Sequence, residues 1–100
     1  MKKYSVEIPD SVIDEIEEYV YFIAQDSVGN ALNWYEKVKI EILKLDGLPK
    51  RCTVAEESQY FDFEVRQLVI GKYRVLFRIK GNSVQVLHFR HDAKLRNFGA

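Results

Sequence analysis

Apolar and polar residues alternate with a period of two along the second half of the chain, between Val65 and His91. In the central part, Tyr73–Ile79, the odd-numbered residues are apolar or aromatic and point to one face, whereas Arg74 and Arg78 point to the other. This pattern predicts three β-strands with an apolar core face and a mostly basic outer face.

Two glycine-containing turns divide this segment, at Gly71-Lys72 and Gly81-Asn82. Each contains a residue that tolerates positive φ, as tight hairpin turns require, so the segment is predicted to be a β-meander. Its first strand is expected to start near Phe61. A separate N-terminal strand is predicted over Lys3–Ile8, where apolar and polar residues also alternate, and Pro9 closes it.

The stretch between these strands has the period of amphipathic helices. The first helix is expected to be capped by Asp10 or Ser11 and to run to about Gln25, and the second follows a cap at Asp26 or Ser27. The predicted apolar stripes are Val12, Ile16, Tyr19, Val20 and Ile23 in the first helix, and Ala31, Tyr35, Val38, Ile42 and Leu45 in the second. The short connection predicts an antiparallel helical hairpin.

The element order is therefore β-α-α-β-β-β, which predicts one α+β domain over residues 1–100, with the helical hairpin packed on an antiparallel sheet. Trp34, Ile40 and Leu43 lie off the main stripe of the second helix and have no obvious core place. Two explanations remain open for them: a surface covered by a partner, or packing against the sheet.

The net charge is zero, but its distribution is asymmetric. Residues 1–50 contain six Lys/Arg and ten Asp/Glu, whereas residues 51–100 contain nine and five. The basic half suits an anionic partner, although basic residues can equally protect solvated sheet edges. The apolar runs are too short to span a membrane and the N-terminus lacks a signal-peptide apolar region, so a soluble cytoplasmic protein is expected.

The residues that could carry chemistry are few. His88 and His91 lack further ligands at metal-binding spacing, so no metal and no cofactor are expected. Cys52 is interpreted as an inert loop residue, because one cysteine without a patterned histidine is weak support for a nucleophile.

A group of cationic and titratable residues in the C-terminal half could bind phosphate or move a proton. Its members are Arg66, Arg74, Arg78, Arg90, His91, Lys94 and Arg96. An RNA-cleaving site needs a base, an acid and cations around the reacting phosphate. Whether Arg74 and His91 share a face depends on whether a β-bulge intervenes.

Several segments, taken in order along nearly the whole chain, carry a family resemblance. They are Ile8-Pro9, Glu18-Tyr19-Val20, Ala31–Tyr35, Leu45–Arg51, Val65–Phe77 and Val84–His91. Together they resemble the RelE/ParE superfamily, the toxin components of bacterial type II toxin–antitoxin systems. The resemblance implies a cognate antitoxin whose C-terminal segment wraps the domain, covers the helical hairpin and adds extended or helical elements to the sheet.

This superfamily has two toxin functions: ParE-like poisoning of DNA gyrase and RelE-like cleavage of mRNA in the ribosomal A site. The spacing from Arg66 to Tyr73 and the ending Phe89-Arg90-His91 resemble the ParE-like, or plasmid stabilisation, branch more closely. Asp92 stands where one nuclease subgroup has a tyrosine, and a neutral chain gains less from counterion release on RNA. We therefore expect a gyrase inhibitor and no enzyme.

The alternatives are an mRNA endoribonuclease and a non-toxic relic or binding module. A nuclease would use His91, Arg66 and Arg74, but no catalytic residue is assigned. The candidates for contact with the target or with nucleic acid are Arg78, Arg90, Lys94 and Arg96. The candidates for contact with the antitoxin are Trp34, Ile40 and Leu43.

Overall fold

The structure is a computed structural model that describes residues 3–91. Its helices and strands follow the predicted order β-α-α-β-β-β. Its strands and helices are β1 (Ser5–Glu7), α1 (Asp10–Ala24), α2 (Val28–Leu43), β2 (Arg66–Ile70), β3 (Tyr73–Lys80) and β4 (Ser83–His91). The strands form one sheet in the order β1-β4-β3-β2. The predicted sheet was antiparallel throughout, but β1 pairs with β4 in parallel. No hairpin turn joins β1 to β4, so none fixes their relative direction.

The two helices begin in different ways. Pro9, in an extended conformation, precedes α1, and Asp10 is already helical. The prediction of a cap at Asp10 or Ser11 is therefore wrong; Asp10 instead places negative charge near the positive end of the helix dipole. The cap predicted for α2 is confirmed at Ser27, whose Oγ accepts a hydrogen bond from the backbone N–H of Asn30 at 3.1 Å.

The main core lies between the helical hairpin and one face of the sheet. It is made of the buried residues Val12, Ile16, Val38, Ile42, Leu45, Ile70, Val75, Phe77, Val84, Val86 and Phe89. The helix residues among them belong to the predicted stripes. Fully burying one such side chain contributes about 1.5–3 kcal/mol, so this cluster fixes the hairpin on the sheet.

The opposite face of the sheet, called here the outer face, carries a second and smaller core. Leu76 is fully buried on it, together with Ala55 and Val65, and Phe61 and Phe63 pack against them. These residues belong to the cover segment, defined as residues 52–65, which includes a 3₁₀ helix at Glu56–Tyr60. The outer face, predicted to be mostly basic, therefore also carries an apolar contact, and the cover segment lies over part of it.

The position of the cover segment also explains an error in strand prediction. β2 begins at Arg66 and not near Phe61. The alternation of Phe61 and Phe63 is typical of a strand, but both rings pack together over the outer face, with centroids 5.4 Å apart. Of the described residues that precede β2, Val54 alone forms a β-bridge with this strand, and it lies opposite Arg66.

The two predicted turns are confirmed, with Gly71 at φ 59° and Gly81 at φ 61°. Between β3 and β4 the register shifts: Leu76 pairs with His88, but the next residue, Phe77, pairs with Val86. One extra residue of β4 is therefore accommodated in a β-bulge. The bulge determines which side chains of β4 share a face with those of β3.

Candidate target and partner surfaces

The pairing of β3 with β4 decides where His91 and Arg74 point. Tyr73 lies opposite His91, and Arg74 lies opposite Arg90. Tyr73 packs against the main core, so His91 is on the helix side, and its ring meets that of Tyr73 edge-on at 5.2 Å between centroids. Arg74 and Arg90, one residue along, lie on the outer face because successive strand side chains alternate. His91 and Arg74 therefore do not share a face.

Arg66 lies at a third place, at the far end of the edge strand β2. It is opposite Phe77, and its guanidinium donates to the backbone oxygens of Lys50 at 3.2 Å and Cys52 at 2.6 Å. It also pairs with the Glu64 carboxylate at 2.9 Å. Strand spacings put its backbone about 16 Å from that of His91, four residues along and two strands across. The three residues that a nuclease would use are not brought together.

Within residues 3–91, the side chains of Glu57 and Gln67 hold Arg74 on the outer face. Its Nη2 lies 2.6 Å from Oε2 of Glu57, and its Nη1 donates to the side-chain oxygen of Gln67. Glu57 is only 3% exposed and is the one charged or polar residue classed as buried in residues 3–91. The pair attaches the 3₁₀ helix of the cover segment to the sheet.

Arg90 and His88 are engaged by a single carboxylate of α1. Oε2 of Glu15 accepts from Arg90 and lies 3.3 Å from Nδ1 of His88, while its Oε1 accepts from the backbone N–H of Phe89 at 3.0 Å. β4 extends beyond its pairing with β1, so Glu15 occupies the strand edge that β1 leaves open. The carboxylate thus neutralises Arg90 and protects this part of the edge.

Arg78 makes a different contact, since its guanidinium carbon lies 4.0 Å from the centre of the Phe63 ring. This is a close cation–π geometry and holds Arg78 under the cover segment. The described arginines of the meander are therefore all engaged by a carboxylate or an aromatic ring. Lys94 and Arg96, the other two target-contact candidates, lie outside the described residues, as does Asp92.

Trp34 belongs to an aromatic cluster on the helix side and not to a free surface. Its ring lies 6.5 Å from that of Tyr19, 5.1 Å from that of Tyr73 and 5.9 Å from that of Phe89. The expectation that Trp34 has no core place is wrong, because position 34 of α2 faces the end of the sheet where these rings meet. Of the two explanations left open for it, packing against the sheet applies.

A cleft of about 410 Å³ adjoins this cluster and is lined by Glu18, Tyr19, Phe22, Tyr73 and His91. Burial, and then the neighbouring Tyr19 phenol, raise the pKa of Tyr73 above its ordinary value. Tyr73 therefore stays protonated at neutral pH and contributes a hydroxyl and an aromatic wall. The cleft is suited to hold a side chain of a partner.

Ile40 and Leu43 are exposed as predicted for a partner surface, by 53% and 50%. Val28 and Leu32 are equally open, by 63% and 57%, and at 3.6 residues per turn all four fall within an arc of about 120°. These four residues are called here the α2 stripe. Sequence reasoning missed Val28 and Leu32, although their spacing of four residues was the available signal.

A protein-family model described as the ParE toxin of type II toxin–antitoxin system, parDE, matches residues 6–96. The matched range contains both helices and β2 to β4. A comparison with curated proteins finds no match to the chain.

Within residues 3–91, no helix is long and apolar enough to cross a membrane. The same residues contain no group of three or more His, Cys, Asp or Glu side chains that could hold a metal ion.

Proposed function

We propose that this chain, which belongs to the ParE toxin family of type II toxin–antitoxin systems, arrests growth by inhibiting DNA gyrase and is neutralised by a cognate antitoxin. The family match supports the toxin role. The observation that favours gyrase over mRNA as the target is the separation of His91 from Arg74 and Arg66. Arg74 and His91 point to opposite faces, and Arg66 lies at the far end of the sheet.

RNA cleavage by these residues would require them to converge on one phosphate. General acid–base groups act within hydrogen-bond reach of the atoms whose protons they move, at about 3 Å. Arg74 would also have to leave the Glu57 carboxylate, which is buried and would then lack its counterion. A RelE-like nuclease that uses His91, Arg66 and Arg74 is thus the less favoured function.

We propose the α2 stripe as the main antitoxin surface, with Ile40 and Leu43 at its C-terminal half. The four exposed apolar side chains share one helix face, with the ion-paired Glu36 and Lys39 between the two halves, and such a concentration favours a partner site over scattered surface residues. An antitoxin segment that folds on binding would cover it by laying its own apolar residues along the helix. Trp34, beneath this helix, would support the surface from the core side.

The target contacts are proposed to include Arg78 and Arg90 on the outer face, with Lys94 and Arg96 further along the chain. Both described arginines are partly buried and already engaged. We propose that Arg78 offers its charge to a protein target, and that Arg90, which Glu15 neutralises, offers guanidinium hydrogen bonds from a fixed position.

The target can be tested by inducing the gene alone in cells. Gyrase inhibition predicts growth arrest, an SOS response, altered plasmid supercoiling and intact mRNA. The variant His91→Gln should remain toxic, since no proton transfer is required of it. Cleaved transcripts would contradict the gyrase proposal in favour of the nuclease, and normal growth would contradict both in favour of a relic.

The antitoxin surface is tested by Leu43→Glu and Ile40→Glu, each of which places a charge in the proposed apolar contact. Either variant should weaken binding of the antitoxin at least tenfold, since burying one unpaired charge costs more than 1.4 kcal/mol. Gln59→Glu is the matched control, because it adds the same charge at an exposed position of the cover segment. Unchanged affinity of both stripe variants would refute this surface.

A further inference from the structure

The cleft beside the aromatic cluster has walls that are held in place before any partner binds. The rings of Tyr19 and Tyr73 meet edge-on, with centroids 5.2 Å apart, and the exposed ring of Phe22 completes the lining. The Tyr19 hydroxyl accepts a hydrogen bond from the backbone N–H of His91 at 3.2 Å, and Trp34 packs against both tyrosines from the core side. The cleft therefore presents fixed aromatic surfaces to an incoming side chain.

Glu18 is the carboxylate of this lining, and it sets the charge of a suitable ligand. Its side chain is exposed and forms no ion pair among residues 3–91. The faces of tyrosine and phenylalanine rings attract a cation that lies within about 6 Å of their centroids. A neutral apolar ligand would instead remove water from the carboxylate without replacing it. The lining therefore favours a cation over a neutral or an anionic group.

Among cationic side chains, arginine matches this combination of groups most closely. Its planar guanidinium can stack on an aromatic ring while its N–H groups donate two parallel hydrogen bonds to one carboxylate. The ammonium of lysine is a compact, strongly hydrated charge without such a planar surface. The cleft, at about 410 Å³, is within the size range of pockets that hold small ligands, so it accommodates a guanidinium with its stem.

The exposed side of α1 around the cleft is acidic and aromatic. At 3.6 residues per turn, its exposed residues Asp14, Glu17, Glu18, Tyr21 and Phe22 fall within an arc of about 140°, and these five are called here the α1 acidic face. Asp14 and Glu17, like Glu18, form no ion pair in the described part of the chain. Such a surface attracts a basic protein surface and repels nucleic acid.

Enzymes that hold DNA present lysine and arginine side chains to its phosphates, so the proposed target offers a surface of the complementary charge. We propose that the cleft binds an arginine side chain from the DNA-binding surface of gyrase, with its guanidinium against the aromatic walls and paired with Glu18. The rest of the α1 acidic face lies against the basic residues around that arginine. This inference rests on the proposed function and names the group of the target that the toxin recognises.

Substitutions at matched positions of α1 test the cleft in a supercoiling assay with purified DNA gyrase. Glu18→Gln removes the charge but keeps the shape, and it should raise the half-inhibitory concentration of the chain about tenfold. Glu17→Gln removes the same charge from the same helix face outside the cleft. Because solvent screens that position, its half-inhibitory concentration should stay within about twofold of the original.

The exposed rings give a second matched pair. Phe22→Ala should raise the half-inhibitory concentration about fivefold, because it removes a cation–π contact. Tyr21→Ala removes a ring that is 72% exposed, against 71% for Phe22, but does not line the cleft, so it should stay within about twofold. Equal potency within either pair, with gyrase still inhibited, overturns the inference and leaves the proposed function standing.

Two other outcomes are distinguishable. A chain that leaves gyrase active removes the proposed function and, with it, the proposed source of the arginine. A Glu18→Gln variant that keeps its potency against gyrase but binds the antitoxin about tenfold more weakly assigns the cleft to the antitoxin and overturns the inference.

Recognition of a guanidinium can be measured without the target. The probes are N-acetylarginine amide and its citrulline analogue, which has nearly the same shape but no charge, each added to the isotope-labelled chain in an NMR titration. We expect the arginine probe to shift the amide signals of Glu18, Phe22 and Tyr73 at millimolar concentration and the citrulline probe to leave them unchanged. Equal shifts from both probes, or none from the arginine probe, overturn the inference. Shifts that appear only after Lys94 and Arg96 are both replaced by glutamine assign the cleft to this chain's own cations and overturn it as well.

Discussion

Replacing Glu57 by glutamine should destabilise the fold, because it removes a buried carboxylate that pairs with the partly buried guanidinium of Arg74. Glu57 is 3% exposed, and the side chain of its partner Arg74 is 15% exposed. The two groups are 2.6 Å apart, and they join the cover segment to the outer face of the sheet. The glutamine side chain has almost the same shape, so the change isolates the charge from the packing.

The expected loss follows from the burial of the pair. Removing one partner of a buried ion pair costs about 3–5 kcal/mol where nothing else compensates the remaining charge. Gln67 still accepts a hydrogen bond from Arg74, so the lower end, about 3 kcal/mol, is expected here. For a domain of this size that loss lowers Tm by about 12–24 °C.

Urea denaturation followed by the fluorescence of Trp34 would measure this loss, since the chain's single tryptophan lies in the aromatic cluster of the core. Glu56→Gln is the matched control: Glu56 is exposed and unpaired in the described range, so the change should stay within about 0.5 kcal/mol. The double variant Glu57→Leu with Arg74→Met should recover most of the loss. If Glu57→Gln were as stable as Glu56→Gln, the buried pair would not hold the cover segment.

Three other predictions follow from local geometry. Burial raises the pKa of Cys52 and keeps its thiol protonated, so alkylation at pH 8 should be slower than that of a free thiol. The alkylation rate should still increase as the pH rises above the ordinary cysteine pKa. Gly71→Ala should cost about 1 kcal/mol in urea denaturation because φ is 59°, whereas Gly29→Ala in α2 should be neutral or stabilising, because its Cβ would meet the Oγ of Ser27 only at an ordinary contact distance of 3.9 Å. Glu15→Gln should lower stability by about 2 kcal/mol, since it weakens the contacts at the edge of β4, and Glu17→Gln should leave thermal unfolding unchanged.

The secondary structure could largely be predicted from sequence, because each helix and strand has one strongly patterned face. Asp26 or Ser27 followed by an apolar period of 3.6 predicted the start of α2, and the alternation in Tyr73–Ile79 predicted β3. The prediction failed at Phe61 and Phe63, where alternation is typical of a strand but tertiary packing on Leu76 decides the conformation.

The candidate site was less predictable, because its contacts join residues far apart in the chain. Arg74 and Glu57 are 17 residues apart, and Arg90 and Glu15 are 75 apart, so no local pattern indicates either pair. The arginines of the basic face that the sequence predicted are engaged by these carboxylates. The β-bulge after Leu76 likewise depends on how two strands pair and has no signature in one strand alone.

The central claim is that this toxin acts on DNA gyrase and does not cut RNA. The most direct test adds the purified chain to DNA gyrase with relaxed plasmid and ATP, and in parallel to ribosomes translating a defined mRNA. We predict inhibited supercoiling, restored by the antitoxin, with the mRNA intact. Normal supercoiling together with cleaved mRNA would contradict the account.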